Sequence, residues 1–197
     1  MLALTNVMRL DKGQYKLVRA LCKYSKNLYN QGLYNTRQEF FQNNRFLQYK
    51  ENYHLCKESE NYKKLQAATA QQSLKFVERG MRSFLSLMKL YWNYDLSERP
   101  SLPHYLPKEK GLFAVAFPKN AFSIRDGMVR LGVSRSIIKE FPDCRRQLIF
   151  SLPPPLEGKK IQEIHILPIY FGLYFKIKYC YRDEDEIVEL DSDKYLS

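Results

Sequence analysis

Histidine and tryptophan are scarce, at three and one in 197 residues, and cysteine stops at four. His54, His104 and His165 are scattered, no two sit four residues apart, and no HExxH stretch occurs, so a histidine-built zinc site has no sequence support. Cys22, Cys56, Cys144 and Cys180 are separated by 34, 88 and 36 residues with no CxxC pair, which leaves buried free thiols as the expectation. Long apolar runs are also missing. The longest, such as Leu112 to Phe117, fall far below the roughly 18 residues that span a bilayer. Met1-Leu2-Ala3-Leu4 meets Arg9 too early for a signal peptide, and a cytoplasmic location is expected.

What is present is positive charge. Lysine and arginine number 32 against 21 acids, a net +11, with hydrophobic residues at 45% and aromatics at 14%. The excess is uneven. Residues 1 to 182 hold 31 basic and 14 acidic groups, hence +17, whereas residues 183 to 197 hold seven acids and one lysine, hence −6. A strongly basic body of ordinary core-forming composition points to a polyanionic partner, nucleic acid before others. The acidic cluster Asp183, Glu184, Asp185 and Glu186, followed by Glu189, Asp191 and Asp193, is expected to be a solvated turn, because consecutive side chains of an extended segment face opposite ways.

Periodicity divides the chain into a strand, a helical block and a β region. Met1 to Leu10 reads as a strand, and Asp11 is placed to cap a helix in which Leu17, Leu21, Tyr24, Leu28 and Tyr29 form the packed face. Lys16, Arg19, Lys23 and Lys26 fall on the remaining surface. A second helix is expected around Thr36 to Asn44, followed by a polar, aromatic stretch through Tyr49, Tyr53 and Tyr62.

From Ala67 the positions Ala70, Leu74, Val77, Met81, Phe84, Met88 and Tyr91 continue in steps of three and four, the seam of one long helix. One residue further on, about 100° around the helix, stand Gln71, Lys75, Arg82 and Lys89, with Arg79 nearby. This stripe can meet phosphate while the seam packs, and Phe84 is assigned to the core.

Arg99-Pro100 and Pro103 end the helical pattern. Short strands are expected at Phe113–Phe117, Ala121–Ile124, Met128–Val133, Gln147–Leu152 and Ile161–Leu167. Phe171, Leu173, Phe175, Ile177, Tyr179 and Tyr181 then alternate with a basic and polar set that includes Lys176 and Lys178, a half-buried strand. The first strand is too short to stand alone and should join this sheet, which makes the fold class α+β: a small antiparallel β-barrel carrying an inserted helical lobe. The boundaries are residues 1–10 for the first strand, 11–99 for the helices, 100–190 for the remaining β region and 191–197 for an acidic junction.

The order of these features, with Tyr29-Asn30 and Arg37 on the first helix, Gln71-Gln72-Ser73-Leu74 and Ser83-Phe84 on the long one, then Arg99-Pro100 and Pro103, resembles the TnpB (OrfB) family. These are transposon-encoded RNA-guided DNA endonucleases, ancestral to the Cas12 effectors. The resemblance implies that the β segments form a wedge domain and the helices a recognition lobe. It covers only the amino-terminal half of a family member. The segment Lys194 to Ser197 looks like the lead-in to a RuvC nuclease domain, whose carboxylates would lie on a separate chain or be lost. Ala67 departs from the pattern, standing where some members carry a basic residue.

The resemblance further implies that Gln71, helped by Tyr49, reads the DNA motif beside the target. Physical chemistry permits that role, since a glutamine amide can pair bidentately with adenine in the major groove. The expected site is therefore Tyr49, Gln71, Lys75, Arg79, Arg82, Lys89, Lys176 and Lys178, with guide RNA and target DNA as partners, joined by a RuvC-bearing chain where the nuclease part is separate. No catalytic residue, metal or cofactor is assigned to this chain. The alternative is a sequence-specific DNA-binding regulator that uses no RNA.

Overall fold

A computed structural model describes residues 1–169 and 173–182. Phe171, Gly172, the acidic cluster from Asp183 to Asp193 and the Lys194–Ser197 segment lie outside the described residues. Strand β1 (Leu2–Arg9) leads into helix α1 (Lys12–Asn43), where the Asp11 carboxylate accepts the Gln14 backbone N–H at 2.8 Å, as its position in the sequence leads one to expect. Helix α1 runs through the expected break at Thr36 and ends at Asn44, whose φ of 51° is the left-handed conformation that asparagine tolerates at a helix end. Thr36 does not open a new helix because its side chain is buried and accepts a hydrogen bond from Asn52 Nδ2 at 3.2 Å.

The aromatic stretch also proves helical, as α2 (Tyr49–Cys56) and α3 (Glu60–Lys64), before α4 (Ala67–Trp92). Eight- and five-residue helices are too short to reveal themselves by periodicity and are held by packing. Helices α1 and α4 run parallel: Ser25 bonds Ser73 at 2.9 Å, Gly32 lies against Leu74, and Phe40 meets Phe84 edge-on at 6.3 Å.

All the expected strands form, within two or three residues of their anticipated ends. They are β2 (Val115–Pro118), β3 (Phe122–Arg125), β4 (Met128–Gly132), β5 (Gln147–Ser151), β6 (Lys160–Pro168) and β7 (Tyr174–Arg182), with a short helix α5 (Arg135–Ile138) between β4 and β5. Asp126 and Gly127, both with positive φ, make the two-residue β3–β4 turn. The first strand pairs antiparallel with the last, Leu2 opposite Tyr181 and Arg9 opposite Tyr174, so the helices are an insertion between paired strands.

The strands form two antiparallel sheets, β1-β7-β6-β2 and β3-β4-β5. Neither closes into the expected barrel among the described residues. The chain leaves β2 through a 3-10 turn at Lys119–Ala121 and enters β3 of the second sheet, so it changes sheets where a barrel would go on pairing.

The main hydrophobic core joins helices to sheets, with Leu17, Leu21 and Leu28 of α1, Leu74 of α4, and Phe117, Ile164, Phe175 and Tyr179 from the strands, and a smaller cluster of Tyr29, Leu33 and Val77 lies between α1 and α4. The α4 seam is buried from Ala70 to Met81, but Phe84, Met88 and Tyr91 are only half-buried and Ala67 is exposed, correcting the expectation of a seam nearly seven turns long. Beyond Met81 the helix borders a groove lined by Phe40, Phe84 and Met88, whereas Thr69, Gln72 and Ser73, off the seam, are buried. Met81→Ala should therefore cost about 2 to 5 kcal/mol in urea unfolding and Phe84→Ala only about 1 to 2 kcal/mol, because part of that ring already meets water. The opposite ranking would mean α4 is rotated from this orientation.

Candidate nucleic-acid interface

The structure brings together Tyr49, Gln71 and Lys75. Tyr49 opens α2, and the Lys75 ammonium sits over its ring at 5.1 Å. Tyr49 is 6.2 Å from Tyr53, which meets Tyr62 edge-on at 5.9 Å. Gln71 lies beside the Tyr62 hydroxyl as a hydrogen-bonding neighbour. Burial raises the Tyr49 and Tyr62 hydroxyls above the ordinary tyrosine range, keeping this patch neutral apart from Lys75. Gln71 and Lys75 are half-buried rather than open, since the tyrosines of α2 and α3 cover one flank of the stripe.

Arg79 leans off the stripe. Its Nη2 donates to Gln72 Oε1 at 3.0 Å and its guanidinium covers the Phe76 ring at 4.8 Å. Phe76 in turn meets His165 of β6 at 5.9 Å, and His165 stands in register opposite Lys178 of β7. Directly opposed residues of an antiparallel pair share a face, so Arg79 and Lys178 border one surface through Phe76 and His165. Lys176, two residues before, is exposed on that face, whereas Lys178 is half-buried. Phe175, Ile177 and Tyr179 are buried on the other face, as alternation predicted, though Cys180 on the basic face is buried too.

Arg82 stands apart in its electrostatics, because Glu78 one turn back holds it at 2.8 Å and it also lies over Phe46 at 5.9 Å. Its charge is largely matched. Lys89 is exposed beyond it, where α4 runs out past the sheet.

The sequence reading missed the aromatic wall at this end. Phe40, Phe41, Phe84, Leu85, Met88 and Trp92 line a groove of about 880 Å3, with Arg45 and Arg99 on its margin. Phe40-Phe41 and the single tryptophan were the available signals, but only the parallel packing of α1 and α4 brings them together. Rings beside cations offer planes on which unpaired bases can stack.

The motif residues that carry the family resemblance have structural work in this fold. Asn30 Nδ2 donates to the Leu106 carbonyl and its Oδ1 accepts the Leu106 N–H, both at 2.9 Å. Arg37 Nη1 donates to the Pro103 carbonyl at 3.3 Å, and Tyr29 stacks on Phe113 at 4.7 Å. Together they strap the connector between α4 and β2 onto α1.

The thiols of Cys22, Cys56 and Cys180 are buried and that of Cys144 half-buried, all free. Burial pushes the Cys56 thiol up to about 11 and that of Cys22 higher still, which keeps them protonated. Among the described residues no group of three or more His, Cys, Asp or Glu side chains is arranged to hold a metal ion, and no helix is long and apolar enough to cross a membrane. In comparisons with known proteins, no family model and no curated protein matches the chain.

Proposed function

We propose that this chain is a nucleic-acid-binding module, the wedge and recognition portion of a TnpB-like RNA-guided DNA-targeting system, which grips guide RNA and contacts the DNA motif beside the target. The observation that carries it is the surface of α4: Lys75 and Arg79 lie over aromatic rings, free of acidic partners among the described residues, and Gln71 offers an amide one turn before Lys75. Such cations supply affinity through phosphates, while a planar amide can discriminate base edges. Lys176 and Lys178 extend the basic surface onto the sheet. The helical insertion between paired strands agrees with the architecture that the TnpB resemblance implies. Cleavage is assigned to a RuvC part and not to these residues.

The decisive experiment starts with nucleic acid that copurifies with the chain. RNase-sensitive material of defined sequence supports the guide-RNA role, and DNA binding without RNA supports the regulator alternative. On a DNA library randomised beside the target, with guide RNA and any RuvC partner added, Gln71→Ala should relax sequence preference, a loss of about 1 to 3 kcal/mol of discrimination. Lys75→Ala should weaken all sequences alike. Unchanged preference in Gln71→Ala would remove the base-reading role.

A further inference from the structure

The cations of α1 that the α4 face leaves aside converge on a second site. Lys16, Arg19, Lys23 and Lys26 follow one another at three- and four-residue spacing and share a helix face. The connector strapped down by Asn30 and Arg37 brings Lys108 and Lys110 to them, and the six cations surround an open pocket of about 460 Å3. Its remaining wall is apolar, from Ala20, Leu112 and Phe141, and among the described residues no acidic side chain lines it. Arg45, Lys63, Lys64 and Arg82 all pair with glutamates, but none of these six joins an ion pair among the described residues.

Lys26 is the unusual member. Sequence periodicity put it on the surface, yet it is 3% exposed, and its ammonium donates to the Lys108 carbonyl at 2.7 Å. Burial, and then the charge of Lys23, hold it below the ordinary lysine range. A largely buried ammonium with no counter-ion among the described residues is costly, and a bound anion would relieve both causes. The loop that covers it is tightly wound. A Cβ at Gly111 would run into the Pro107 carbonyl, and Lys110 holds a φ of 58°, unusual for a residue other than glycine.

We infer that this pocket is a seat for a phosphate-dense anion, two or three linked phosphoryl groups, recognised by Lys16, Lys23, Lys26, Lys108 and Lys110. Lysines act on phosphate as compact point charges, and linked phosphoryl groups present several negative charges within the span of one such pocket. Two sources share this chemistry, a free polyphosphate and the 5′-triphosphate end of a primary transcript. The inference uses none of the α4 residues and stands or falls separately from the interface proposed above.

The test is calorimetric titration of the whole chain with inorganic tripolyphosphate. One saturable site is expected, weakened at least tenfold by the exposed pair Lys23→Gln/Lys110→Gln and by Lys26→Met, and unchanged by Lys119→Gln outside the pocket. Absence of saturable binding would overturn the inference, as would equal weakening by Lys119→Gln. Should Lys26→Met fail to fold, the exposed pair decides alone. RNAs of one sequence with 5′-triphosphate or 5′-hydroxyl ends then separate the sources: a tenfold preference for the triphosphate, lost in the exposed pair, assigns the seat to the RNA end. Equal RNA binding alongside saturable tripolyphosphate binding assigns it to free polyphosphate. RNA binding without tripolyphosphate binding sinks this inference and leaves the α4 interface standing.

Discussion

Raising salt from about 50 to about 200 mM should weaken single-stranded RNA binding roughly 100-fold, if about five phosphates are neutralised on a single strand. Among the described residues, the candidate cations free of acidic partners are Lys75, Arg79, Lys89, Lys176 and Lys178, whereas Arg82 is already matched by Glu78. Each phosphate neutralised releases condensed counter-ions, so the slope of log K against log salt should lie near about −3.5. Lys176→Gln/Lys178→Gln should reduce its magnitude by about 1.4, leaving the melting curve nearly unchanged, because Lys176 is exposed and Lys178 only half-buried on the sheet face. Arg82→Gln should change the slope least. Filter-binding titrations at four or five salt concentrations measure all three quantities, and a flat response in the parent chain would end the electrostatic account of its affinity.

Leu74→Ala should destabilise the chain by about 2 to 5 kcal/mol, and Gly32→Ala by about 1 to 2 kcal/mol, yet the two together should be less harmful than their sum. Leu74 is fully buried where α4 packs against Gly32 of α1. A Cβ on Gly32 would lie 2.8 Å from Leu74 Cδ2 and 3.1 Å from Asn52 Nδ2. Alanine gains about 1 kcal/mol over glycine in a helix interior, but forcing a methyl into this packed crossing costs more. Removing the leucine side chain opens the space that the new methyl needs. Denaturant melts of the four proteins give the coupling energy directly. If Gly32→Ala proved stabilising in the parent background, α1 and α4 would be further apart than described.

The sequence by itself determined the elements whose signals are local. The Asp11 cap, the three- and four-residue seam from Ala70 to Met81 and the alternation along β7 each follow from side-chain spacing and chain geometry alone. Pairing of the first strand with the last was also within reach, since a lone strand cannot satisfy its backbone groups. Tertiary structure decided what depends on neighbours far along the chain. The outer half of α4 repeats the same pattern as its inner half, yet Phe84 stays half-buried because it lines the open groove beside Phe40 of α1. Among the described residues the strands form two antiparallel sheets because the turn after β2 carries the chain into a second sheet. Lys26 has the spacing of a surface residue and is buried only because the Pro107–Gly111 loop, 82 positions away at Lys108, folds over it. Local periodicity records which side of an element is apolar; what covers the other side is set by packing, and there the six cations of α1 and its covering loop became one pocket.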